Sequence, residues 1–256
     1  ALPQDPIWRA IDQWQDSAKC ARETGVLLVV CRGGQLIPFS DASIADDPGH
    51  ALLLGIVARV SDREIDLVDI ARLNLCIDAF GVLLLAILML SLRQYLAGLL
   101  LFAYGPHSFL FHFGLTPHWS FLGLTAMQLV LPLALLALDH GWMSRRVSFL
   151  YVGIGLLAVA FAALVREAVA AMAVAVTFAA LVWLAFGRLR RRRSIVWLGV
   201  IAALVLGAHH APGIAYSIRD TVADVEPAKF SGRHGMAHTL YIGLGTVPNR
   251  FGIVYS

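Results

Sequence analysis

Gly187-Arg-Leu-Arg-Arg-Arg-Arg-Ser194 holds five arginines in eight residues. Apolar runs flank it, Ala168 to Phe186 before and Ile195 to Ala211 after. As helices, these runs are long enough, or nearly so, to cross about 30 Å of hydrocarbon. Positive residues resist translocation, so a short arginine-rich loop between two spans belongs on the cytoplasmic side. An arginine tract can also bind nucleic acid, but flanking spans argue against a nucleic-acid partner. With this loop inside, every other loop takes a side.

Working outward, the 256 residues are 59% hydrophobic and 14% charged, with a mean hydropathy of +0.73. A soluble domain carries about a quarter charged residues, so the composition specifies an integral membrane protein. The net charge of +3 is concentrated in the arginine loop and reports orientation. The chain opens on Ala1-Leu2-Pro3. Either a leader or first helix has been removed, or the natural chain starts earlier.

The expected fold is an all-α polytopic bundle with about six spans and a small mixed extracytoplasmic loop domain at its N-terminus. The spans are Leu73–Leu92, Tyr95–Phe111, Ser120–Leu138, Val147–Val165, Ala168–Phe186 and Ile195–Ala211. Pro132 is an expected kink. The inner loops then carry Arg93, the pair Arg145 and Arg146, and the arginine cluster, while the short outer loops carry only Arg166. This asymmetry places residues 1–66 and 212–256 on the periplasmic side of a bacterial inner membrane, with 67–211 forming the bundle.

In the N-terminal region, Ile7, Trp8, Ile11 and Trp14 recur at helical spacing within Asp5–Arg22. The two tryptophans suit either a helix on a membrane surface or packing within the region. Val26–Cys31 and Leu36–Phe39 read as strands around a turn at Arg32-Gly33-Gly34-Gln35. Ser40–His50 is polar and acidic, and Ala51–Val60 is an apolar helix too short to span. Cys20 and Cys31 are expected to bridge if this region faces an oxidising compartment; Cys76 reads as a small buried residue. Near the other end, Tyr241–Tyr255 is dense in glycine and aromatics, which suggests turns and short strands.

Three groups could carry chemistry. Eight of nine histidines fall on the outer side, and His234 and His238 are four apart. They are weak metal candidates without a third ligand and a carboxylate. Asp41, Asp46 and Asp47 form an acidic stretch at the membrane boundary, either ordinary turn residues or a general base. Asp78 would lie within the first span, where an ionisable group faces a cavity or a partner. Arg166-Glu167 forms a tight outer turn that either pairs with itself or meets an anionic headgroup or pyrophosphate.

Asp46-Asp47-Pro48-Gly49-His50, followed by Leu52-Leu53-Leu54-Gly55, resembles the first outer loop of the GT-C membrane glycosyltransferases. These enzymes use polyprenyl-phosphate sugars, as in the protein mannosyltransferase-like and aminoarabinose transferase-like groups. Ala163-Leu164-Val165-Arg166-Glu167, with the span and arginine loop after it, is similar to their mid-bundle arrangement. The resemblance covers about residues 1–200. It implies a lipid-facing cavity at the outer face, with Asp46 or Asp47 activating an acceptor hydroxyl and basic groups holding the donor phosphate. The substrate- and phosphate-binding candidates are Arg166, His50 and Asp78, with outer histidines or a divalent metal ion as further sources of positive charge. The chain departs from the family in its missing first helix, its six spans against eleven or more, and residues 212–256.

The expected partners are membrane lipids and the polyprenyl-phosphate-linked donor. One rival reading is a non-catalytic transmembrane subunit of a larger membrane complex, packing through the small-residue face Ala168, Ala171, Ala175 and Ala179. The other is a metal- or haem-binding redox protein built on the outer histidines.

Overall fold

The computed structural model describes residues 6–42, 48–105, 121–188, 192–223 and 225. Helix α1 runs Pro6–Thr24. Ile11, Trp14, Ala18 and Ala21 form its buried stripe, while Asp12, Asp16 and Lys19 face out. Trp14 is 1% exposed, so packing within the region accounts for it, not contact with a membrane surface. Strands β1 (Val29–Arg32) and β2 (Gln35–Pro38) pair antiparallel, with Arg32 opposite Gln35. Gly33 and Gly34 make the turn at φ 58° and 80°, a left-handed pair that matches strand twist and suits glycine. The Cys20–Cys31 disulfide ties α1 to β1 across a Cα separation of 5.4 Å.

A single turn, α2 (Phe39–Ala42), and helix α3 (Pro48–Ser61) complete the N-terminal elements. Ala10, Trp14, Val30, Phe39 and Leu54 share a core with Ile65 and Ile70. Helix α4 (Leu67–Ser91) begins where Asp66 and Asp69 cap each other's backbone N–H. That reciprocal cap satisfies two donors at a helix start. Arg63 clamps the Asp69 carboxylate with two bonds of 2.6 Å.

Helix α5 is Tyr95–Tyr104, α6 Phe121–His140, α7 Arg145–Val165, α8 Glu167–Arg188, α9 Arg192–His209 and α10 Ala211–Ala223. Four of them, α4, α6, α7 and α8, are long and apolar enough to cross a membrane; α9 and α10 make a fifth only if taken together. The chain is therefore a mostly helical, multi-pass membrane protein. Two expected spans differ in the structure. Helix α5 has ten residues, about 15 Å of rise and half of what crossing needs; residues 106–111 of that expected span lie outside the described residues. The last expected span, Ile195–Ala211, is met by α9, which alone is not among the helices long and apolar enough to cross, and a 56° bend after His209 leads into α10.

The bundle packs α6 against α4, α7 and α8, with α9 against α7 and α8. Val130, Leu131, Val159, Ala173, Leu181 and Val205 lie at its centre. Phe80, Leu99, Leu157, Trp183, Phe186 and Trp197 stay exposed on the helices, as expected of surfaces facing lipid. On α8 the packed face runs through Ala170, Ala173 and Thr177, so Ala175 and Ala179 of the small-residue stripe point outward.

Candidate functional site

Of the expected site residues, His50 and Arg166 lie near where α3 meets the α7–α8 turn. Gly49 sits in the first turn of α3, directly against backbone: a Cβ there would lie 2.7 Å from the Leu164 carbonyl and Val165 Cα. Only glycine allows that approach. The packing brings Pro48-Gly49-His50 to the end of α7, one residue before Arg166. Arg166 is a single extended residue between two helices, at φ −158° and ψ 94°. Its N–H donates to Ala162 O, and its carbonyl accepts from Val169 and Ala170. It thus closes α7 and opens α8 at once. Arg166 is half-buried and sits at the N-terminus of α8, next to Glu167 in the sequence.

His50 is buried. Its ring stacks on Trp14 with centroids 4.3 Å apart and planes 12° apart. Nε2 lies 2.8 Å from Asn74 Oδ1. An amide oxygen only accepts, so Nε2 carries the hydrogen and donates. Nδ1 is then a buried acceptor with no partner among the described residues. Loss of hydration lowers the His50 pKa from 6.5 to about 4; the Asn74 bond opposes this shift, and the Arg166 charge adds to it. His50 is therefore neutral at neutral pH, and the expectation that it would bring positive charge to a phosphate is not met. Its work is to hold α1, α3 and α4 together.

Asp78 has a comparable role one turn below Asn74. Its Oδ1 accepts a 2.7 Å bond from Gly123 N–H, in the first turn of α6. Those first N–H groups have no partner within their own helix, so Asp78 caps α6 from the neighbouring helix. The contact is possible because Gly81 and Gly123 face each other where α4 crosses α6, with no room for a Cβ on either. A carboxyl group that accepts from a helix start offers no positive charge to a phosphate. The sequence showed a carboxylate inside a span but not that its partner is a backbone N–H forty-five residues on.

Asp46 and Asp47 lie outside the described residues, as do His234, His238 and the expected strands of Tyr241–Tyr255. Asp41 lies in α2 and is half-buried. Cys76 is exposed, not buried. Among the described residues no three of His, Cys, Asp and Glu converge on a metal position. What sequence reasoning missed is Asn74, the partner of His50. The signal was available, since Asn74 and Asp78 are four apart and share one face of an otherwise apolar helix.

No family model matches the chain, and no characterised protein or solved structure is similar to it.

Proposed function

We propose that this chain is a membrane glycosyltransferase-like protein of the GT-C type, acting on a polyprenyl-phosphate-linked sugar at the outer face of a bacterial inner membrane. One observation carries the reading. Gly49 rests on Leu164 and Val165, so the start of α3, which follows Asp47 in the sequence, lies beside Arg166. A general base and a phosphate-binding cation would need this proximity.

In this mechanism Asp46 or Asp47 takes the proton of the acceptor hydroxyl. The hydroxyl oxygen attacks the anomeric carbon, and the bond from that carbon to the phosphate oxygen breaks. Polyprenyl phosphate leaves with the electron pair, and Arg166 with the N-terminus of α8 stabilises its charge. The described residues offer no set of metal ligands, so no step is assigned to a metal ion. His50, Asn74 and Trp14 keep α3 seated on the bundle and so fix the shape of the site.

Sugar transfer from a polyprenyl-phosphate donor in detergent tests the reading. Asp46→Asn or Asp47→Asn should lower the rate by roughly 10²–10⁴ while expression is unchanged. Arg166→Ala should weaken donor binding instead. Full activity in both asparagine variants would remove these carboxylates as the base. A wild-type protein inactive with every donor, yet purified with a fixed partner, would favour the subunit reading.

A further inference from the structure

Helix α10 follows α9 after a sharp bend and lies against the N-terminal elements, with one face exposed among the described residues. The apolar part of α9, Val196–His209, rises only about 21 Å, short of the roughly 30 Å of hydrocarbon. The chain therefore leaves α9 before the hydrocarbon ends. Inclined at 56° to α9, the 13 residues of α10 add about 11 Å along the same direction. The pair advances about 32 Å, the thickness of the hydrocarbon core.

The side chains of α10 divide as that placement requires. Ala215 and Tyr216 pack on the N-terminal core. Arg219 is 5% exposed; it donates to Leu28 O at 3.0 Å and pairs with Asp220. On the other side Ile214, Ile218 and Val222, four residues apart, are 54%, 58% and 81% exposed. Val200 and Leu204 on α9 are exposed apolar side chains too. Ser217 and Thr221 on this side give their hydrogens to Gly213 O and Ser217 O, at 2.9 and 2.8 Å. Neither hydroxyl then asks lipid for a partner, as a surface in hydrocarbon demands.

We propose that α10 lies obliquely in the bilayer leaflet next to the N-terminal elements, with Ile214, Ile218 and Val222 against lipid acyl chains. The face is bare because the membrane covers it. This does not depend on any transferase activity.

Single cysteines at Ile218 and Val222, in a Cys76→Ala background, would carry a fluorescent label in vesicles of phosphatidylcholine. Brominated acyl chains quench from within the bilayer and iodide quenches from water. Val200→Cys on α9 and Asp12→Cys on the exposed face of α1 are the references, and the Cys20–Cys31 disulfide reports folding. Both α10 positions should follow Val200→Cys, quenched by brominated lipid and shielded from iodide. Quenching by iodide, as at Asp12→Cys, would overturn the proposal. So would shielding from both quenchers, which would mean that protein covers the face: residues 226–256, a second copy or another subunit. Two positions four residues apart keep the test decisive if one substitution prevents folding.

Discussion

His50 was expected near a phosphate and is instead sealed between Trp14 and Asn74. Its folded pKa of about 4 lies below the ordinary 6.5, so folding favours the neutral ring. The stability this brings is fully present above pH 6.5 and is lost as pH falls towards 4, at about 1.4 kcal/mol per pH unit. Thermal unfolding in detergent should therefore show a melting temperature that drops between pH 6.5 and 4.5. His50→Phe keeps a ring on Trp14 and should flatten that drop, although it lowers stability at pH 7 by leaving Asn74 without its donor. The same pH dependence in both proteins would refute the buried-neutral assignment. Asp78 allows a sharper contrast. Asp78→Asn keeps an acceptor for Gly123 N–H and should be tolerated, whereas Asp78→Ala should cost about 1 kcal/mol, the usual price of a lost N-cap. Equal losses would mean that charge, not capping, sets its role.

The helices were legible because each carries its signal locally. Leu67–Ser91, Arg145–Val165 and Glu167–Arg188 follow apolar runs bounded by charge, within a few residues of the expected spans. The hairpin was legible from Gly33-Gly34, although β1 starts three residues later than expected, at Val29. Two features were not legible. Apolar length alone cannot show that Tyr95–Tyr104 forms only a ten-residue helix. The end of the last span at Pro212-Gly213 was legible, but the 56° angle between α9 and α10 was not. Helix crossings were equally hidden, because they depend on glycines from distant parts of the chain. Gly123→Ala tests the closest of them. Its methyl would meet the backbone of Ile77 and Asp78, which cannot move aside as a flexible side chain could. A loss of at least about 1–3 kcal/mol is expected, read as a lower melting temperature in detergent. An unchanged melting temperature would show that α4 and α6 do not cross so closely.

Across the whole molecule, the two chain regions expected on one side do meet. Arg219 on α10 reaches Leu28, 191 residues earlier, and Val225 packs with Cys20 and Val29. The α7–α8 turn is at this same end, against Gly49. From there α8 runs 22 residues, about 33 Å, to the arginine loop at the far end. The proposed orientation rests on a disulfide-tied unit at one end of the bundle and an arginine-rich loop after α8. The proposed chemistry at Arg166 presupposes it; the placement of α10 does not.

The most direct measurement is labelling with a membrane-impermeant maleimide in intact cells, using single cysteines at Asp12 and at Ser194 in a Cys76→Ala background. The account predicts that Asp12→Cys labels in intact cells and Ser194→Cys only after the membrane is opened. Equal labelling of both from outside, or labelling of Ser194→Cys alone, would contradict it.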